Sequence, residues 1–98
     1  MSLLVVFRRA ARTEFDDGAD WYDGRRAGLG TAFTAAVQDV LGRIAAQPDF
    51  YPQVFGDVRE GLVAGFPYCV YYREEPGRVL VLSVFHTARN PSVWQSRA

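Results

Sequence analysis

The residues best suited to chemistry in this 98-residue chain lie close together near its end, in His86-Thr87-Ala88-Arg89-Asn90-Pro91-Ser92-Val93-Trp94. The stretch sets the chain's one histidine, a side chain that titrates near neutrality, within three positions of a permanent cation. A large aromatic follows on the next element. Such a combination could bind phosphate, or stack on and clamp a nucleotide. A structural reading competes with it, in which His86 is satisfied at a strand end, Arg89 pairs with an acid and Trp94 plugs the edge of the core. Spacing alone leaves both open.

Elsewhere the motifs of common catalysts are missing. The chain has no phosphate-cradling glycine loop, no HExxH and no GxSxG. Cys69 falls in the middle of an aromatic, strand-like run and reads as a buried structural thiol. Glu14, Asp16, Asp17, Asp20 and Asp23 form an acidic block that would suit carboxylate catalysis or metal binding. Their spacing follows a helix surface, however, and a solvated face is the expectation. A lone cysteine excludes an intramolecular disulfide, and no Cys/His cluster has the spacing of a zinc site. Neither a metal nor a cofactor is expected.

The charge pattern narrows the partners. Formal net charge is zero, yet all 11 basic residues are arginine and lysine is absent. Arginine clamps phosphate or carboxylate but stays protonated, which makes it a poor general base. Nothing after Glu75 is acidic, although Arg78, Arg89 and Arg97 lie beyond it. Arg8, Arg9 and Arg12 crowd the other end, where no acid precedes them. The length predicts a single domain over residues 1–98, and 49% hydrophobic residues argue against disorder. The run Leu3–Phe7 is shorter than the roughly 7–15 residues of a signal-peptide core, and nothing approaches the roughly 20 of a membrane span. A soluble, cytoplasmic protein is expected.

The elements that must hold these side chains follow from periodicity. Leu3-Leu4-Val5-Val6-Phe7 reads as a buried strand. Ala11, Phe15, Ala19 and Tyr22 mark one amphipathic helix. Leu29, Phe33, Ala36/Val37, Val40/Leu41 and Ile44 mark a second, broken from the first at Gly28-Leu29-Gly30 and ended near Gln47-Pro48. Arg8, Arg9 and Arg12 sit at the wrong end of the first helix for its dipole, and Arg12 can reach Asp16 only in the weaker orientation. Short β-rich runs fill the second half: Val54-Phe55, Val58 to Ala64, Phe66 to Arg73 and Val79 to His86, the last two joined by a hairpin at Glu74-Glu75-Pro76-Gly77. Phe66, Tyr68, Val70 and Tyr72 are expected on one face of their strand. Leu80, Leu82, Val84 and His86 are expected to share a face of the next, a central strand apolar on both sides. Asn90-Pro91 predicts a short helix carrying Trp94. The fold class is α+β, an αα-hairpin on a small, mainly antiparallel sheet in the order β-α-α-β-β-β, with a three-stranded meander and a short terminal helix.

At this level the chain resembles the RelE/ParE superfamily of bacterial type II toxin–antitoxin toxins, and its ParE-like, plasmid-stabilisation branch most closely. The resemblance is carried by Trp21-Tyr22, Gly28-Leu29-Gly30 with Phe33, Ile44 with Pro48, Tyr51-Pro52 and Val58-Arg59. Phe66-Pro67-Tyr68 with Val70-Tyr71-Tyr72, Val84, His86, Arg89-Asn90-Pro91 and Trp94 complete it. The family fold is the one read above from the elements. The branches differ in activity: RelE-like members resemble ribonucleases that cut messenger RNA in the ribosomal A site, whereas ParE-like members are implicated in poisoning DNA gyrase. A nuclease needs a base, a leaving-group acid and cations around the phosphate. This chain has no lysine, has Cys69 where nuclease members tend to place arginine, and has Trp94 where a tyrosine hydroxyl would be wanted. Zero net charge also suits a ribosome-bound enzyme poorly.

The resemblance therefore implies a toxin that binds and inhibits a macromolecular target, DNA gyrase, through Arg59, His86, Arg89 and Trp94. One alternative is a ribosome-dependent endonuclease in which His86 moves protons and Arg59 and Arg89 hold phosphate. Another is a relative that still binds an antitoxin but has lost toxicity. Every version implies a hetero-oligomer with a cognate antitoxin, a small protein whose disordered, acid-containing tail folds on binding. Arg8, Arg9 and Arg12 are the expected acceptors for its carboxylates.

Overall fold

In the computed structural model, which describes residues 2–98, a first strand β1 (Leu4–Phe7) leads directly into the helical hairpin of α1 (Arg9–Arg25) and α2 (Leu29–Ala46). A 3₁₀ turn at Pro48–Phe50 follows, then β2 (Gln53–Phe55), β3 (Val58–Leu62), β4 (Tyr68–Glu75), β5 (Arg78–His86) and the short helix α3 (Ser92–Gln95). The strands form one sheet in the order β1-β5-β4-β3-β2, parallel between β1 and β5 and antiparallel elsewhere. The α+β class and the element order are as read from the sequence. The meander is one strand longer than expected. The Val54-Phe55 run forms this extra strand: β2 pairs with β3, although its three residues are all exposed and carry no alternating pattern.

Both helices bury the predicted stripes. Ala11, Phe15 and Tyr22 of α1 meet Phe33, Val37, Val40, Leu41 and Ile44 of α2 over Val70, Tyr72, Val79, Val81 and Val84 of the sheet. The helices can approach this closely because two small residues sit at their crossing. A Cβ at Gly18 would lie 2.9 Å from the Phe33 ring, and one at Gly30 would collide with the Ala19 carbonyl oxygen. Asp23 accepts the Gly30 N–H at 2.7 Å and so satisfies a backbone donor in the first turn of α2.

The opposite face of the sheet has its own small core of Val58, Cys69, Tyr71, Leu82, Phe85 and Trp94, closed by α3. β5 does not alternate as expected. Tyr71 pairs with Ser83 and Tyr72 with Val81, which leaves Leu82 as an extra residue on β5. Such a bulge switches the side-chain phase. Leu80 and Leu82 consequently face α3, while Val84 joins the core beneath the helices. Among the described residues no helix is long and apolar enough to cross a membrane.

Candidate functional site

β1 stops at Phe7, where its pairing with Val81 ends, but β5 continues for five more residues. Beyond that point the edge of β5 faces α1 instead of a strand. A groove of about 490 Å³ opens here between α1 and the ends of β4 and β5. Asp17, Trp21 and Tyr22 line one wall, Tyr68, His86 and Arg89 the other, and Glu14 also borders the space.

Glu14 is the electrostatic centre of this region. Its side chain is only 12% exposed. Oε1 accepts from the Ser83 hydroxyl at 2.7 Å, the Val84 N–H at 3.2 Å and Arg97 Nη1 at 2.8 Å. Oε2 accepts from Arg89 Nη1 and Arg97 Nη2, each at 3.2 Å. Arg97 Nη1 also donates to the Leu82 carbonyl at 3.1 Å. One carboxylate is thus shared by two guanidiniums, and the cluster keeps a net positive charge.

The two residues singled out at the strand end do come together. Arg89 donates its backbone N–H to the His86 carbonyl at 3.1 Å, and His86 Nδ1 accepts the Ala88 N–H at 3.0 Å. With Nδ1 as acceptor, the proton of the neutral ring resides on Nε2. The imidazole sits edge-on to Tyr68, centroids 5.1 Å apart. Arg89 lies over the Phe85 ring at 4.8 Å with about half of its side chain (49%) exposed. Burial is the main reason the Tyr68 phenol is raised above its ordinary pKa, so at neutral pH it is a donor and no base.

Arg59 lies elsewhere. It pairs with Tyr72 on β3, whereas His86 pairs with Tyr68 on β5. Four residues along β4 separate the two positions by roughly 13 Å, on opposite sides of that strand. Arg59 Nη1 donates to the carbonyls of Asp49 and Tyr51, which anchors the 3₁₀ turn, and the side chain borders a second depression with Asp57, Glu74 and Glu75. Trp94 is 3% exposed and stacks on Tyr71, so it belongs to the core beneath α3 and is not a surface platform. Cys69 is buried there too, and burial, ahead of the nearby Glu60 charge, pushes its thiol pKa up.

The three arginines near the start of the chain are all exposed. Arg12 pairs with Asp16 at 3.4 Å, in the orientation expected, and its guanidinium lies 5.5 Å from the Phe15 ring centroid. Arg8 and Arg9 form no ion pair among the described residues. No group of three or more His, Cys, Asp or Glu side chains is placed to hold a metal ion among those residues.

Sequence reasoning left four residues without the roles they have here. The acidic block is not uniformly solvated: Glu14 turns inward and Asp23 binds the α2 backbone. Arg97 and the half-exposed Trp21, whose ring carries the Arg25 guanidinium 4.5 Å from its centroid, were also unassigned. One signal for Glu14 was present. Arginines beyond Glu75 have no acid after them, so their counter-ion must come from an earlier element, and the densest supply is on α1.

Comparison with known proteins places these observations in a family. Residues 5–91 match the family described as the ParE toxin of type II toxin–antitoxin system, parDE. A comparison with curated proteins finds no match. Among solved structures the chain is similar to one described as the chromosomal ParDE TA system from P. aeruginosa, with a TM-score of 0.76 and 12% sequence identity. That alignment covers 87% of this chain and 96% of the other, and at such low identity the likeness speaks for the fold. The family match spans most of the chain, including α1, the sheet and the turn bearing His86 and Arg89, and on it the chain belongs to the ParE toxin family of type II toxin–antitoxin systems.

Proposed function

We propose that residues 1–98 act as one toxin domain that harms the cell by binding a macromolecular target, DNA gyrase, in the cytoplasm, and that a cognate antitoxin neutralises it. The observation carrying this reading is the dispersal of the nuclease candidates. Scission of RNA through its own 2′-hydroxyl needs a base and cations gathered around one phosphate. Arg59 is held by backbone carbonyls at the 3₁₀ turn, far along the sheet from His86 and Arg89. His86 keeps its ring proton on Nε2 because Nδ1 is occupied by the Ala88 N–H, which is the wrong form for a base acting through that nitrogen. Arg89 already shares Glu14 with Arg97. The groove is furnished for adhesion: the half-exposed Arg89 guanidinium, exposed Trp21 and a lining of aromatic rings.

Membership of a toxin–antitoxin family and the exposed cations Arg8 and Arg9 support neutralisation by an antitoxin. The decisive test is purified protein with purified gyrase. Inhibited supercoiling and trapped gyrase–DNA cleavage complexes are expected, with Arg89→Ala weakened. Primer extension on translated messages is the counter-test, and codon-positioned cuts lost in His86→Ala would replace this reading with the nuclease one.

A further inference from the structure

We propose that Glu14 is the positioning residue of the groove: its carboxylate locks Arg89 and the Arg97-bearing segment into one unit along the free edge of β5. The functional arm of this inference rests on the target-binding reading above, and the structural arm does not.

The starting point is an edge left unpaired. β1 ends opposite Val81, and a strand edge presents N–H and C=O groups that need partners. Two side chains supply them. Glu14 accepts the Val84 N–H, and Arg97 donates to the Leu82 carbonyl. Joined to each other through both carboxylate oxygens, the two side chains stand in for the missing strand. The Ser83 hydroxyl, fully buried at the bulge, donates to the same oxygen and fixes the carboxylate's orientation.

Edge satisfaction alone would not require a charge, because a glutamine oxygen could accept from Ser83 and Val84 equally well. The charge matters to the two guanidiniums. Arg89 spends one N–H on Glu14 and rests its plane over Phe85, and half of its side chain remains exposed. Its other donors are free for an anionic group of a partner. An unpinned arginine would lose rotamer freedom on binding, whereas this one has already lost it. Arg97 links that preparation to α3, since the segment from Ser92 onward is tied to α1 through it.

The test uses Glu14→Gln, which preserves an acceptor for Ser83 and Val84 and should keep the helical signal, while the urea midpoint falls in step with the lost ionic contact. Hydrogen exchange forms the first arm. Protection of the amides of residues 92–98 should fall about tenfold, in line with the loss of a coupled ionic contact. Binding to gyrase forms the second arm, as a double-mutant cycle with Arg89→Ala. Each single change should weaken affinity about tenfold, and the pair together no more than Arg89→Ala alone. Arg97→Lys, which keeps the charge but loses the fork, should fall between parent and Glu14→Gln. Additive losses in the cycle, or unaltered exchange in Glu14→Gln, would overturn the proposal. If Arg89→Ala binds gyrase like the parent, Arg89 is no target contact and the functional arm is overturned. If the parent itself does not bind gyrase, the target reading fails on its own, and the exchange arm still decides whether Glu14 locks the segment.

Discussion

Trp94 lies flat on Tyr71, with ring centroids 3.9 Å apart and planes 12° from parallel. Phe55 meets the same indole edge-on at 5.8 Å, so a residue of α3 bridges β4 and the outlying β2. The indole N–H is buried without a partner among the described residues, so the stack holds through ring contact and area alone.

Removing the indole should therefore cost stability on the scale of a core aromatic. Trp94→Ala is expected to lose about 3–5 kcal/mol in urea denaturation. Trp94→Phe keeps a ring on Tyr71 and discards the orphaned donor, whose burial carries a penalty of its own, so its loss should be markedly smaller. Once folded, Trp94→Phe should bind gyrase like the parent. Weaker binding with unchanged stability would mean that α3 lifts and the indole touches the target.

Two glycines on α2 should respond with opposite signs. Gly30→Ala drives a Cβ into the Ala19 carbonyl and the Asp23 carboxylate, so the hairpin must open. A loss of about 1–3 kcal/mol is expected despite alanine's better helix propensity. Gly42 has nothing within 4 Å of the position a Cβ would take, so Gly42→Ala should stabilise by about 0.5–1 kcal/mol. Thermal melts of both variants check the pair.

The helices were legible because each writes its core contact as a repeating stripe, and every apolar position from Phe33 to Ile44 that the stripe implied is buried or nearly so. The faces of β5 were not, since one extra residue at Leu82 reverses the phase and leaves no local mark. Glu14 was hidden for a related reason. Five acids at helix-surface spacing look alike in sequence, and the one that turns inward is chosen by Ser83 and Arg97, 69 and 83 positions away. The engagement of Arg59 by the Asp49 and Tyr51 carbonyls was hidden as well, because an arginine held by main-chain carbonyls cannot be told in sequence from a free one.

Stability should fall in alkali through two tyrosines. Burial is the main cause raising the phenol pKa of both Tyr71 and Tyr72, with the Tyr71 hydroxyl also donating to Glu60 at 2.8 Å. In the folded state both stay protonated above about pH 10, where the unfolded chain begins to release those protons. Each therefore contributes stability that is intact below about pH 10 and is lost as pH climbs toward the folded value, at up to about 1.4 kcal/mol per pH unit. Urea midpoints at rising pH should show this decline, flatter in Tyr72→Phe. That variant should also start about 1 kcal/mol lower at neutral pH, having left the Pro48 carbonyl without its donor.

Cys69 should be silent toward thiol reagents in the native protein. It is 3% exposed and burial keeps the thiol protonated, which removes both access and nucleophile. Reaction with an aromatic disulfide reagent should track global unfolding, rising with urea along the same curve as the helical signal. Rapid labelling without denaturant would show instead that α3 opens locally over Trp94.

Antitoxin capture should depend unequally on the three arginines near the start of the chain. Arg9 is exposed and makes no ion pair among the described residues, whereas Arg12 is engaged by Asp16 and lies beside the Phe7 and Phe15 rings. A carboxylate on the antitoxin would meet an unsatisfied cation at Arg9 but would have to compete at Arg12. Arg9→Glu should slow association with the antitoxin about tenfold at low salt, and the difference should shrink as ionic strength rises, because exposed charges act mainly through steering. Arg12→Glu should cost less in association but also lower stability slightly, by about 0.3–0.5 kcal/mol, since it sets two carboxylates one helical turn apart. Measured on-rates indifferent to both reversals at low salt would remove these arginines from the antitoxin interface and leave them as solvated charge.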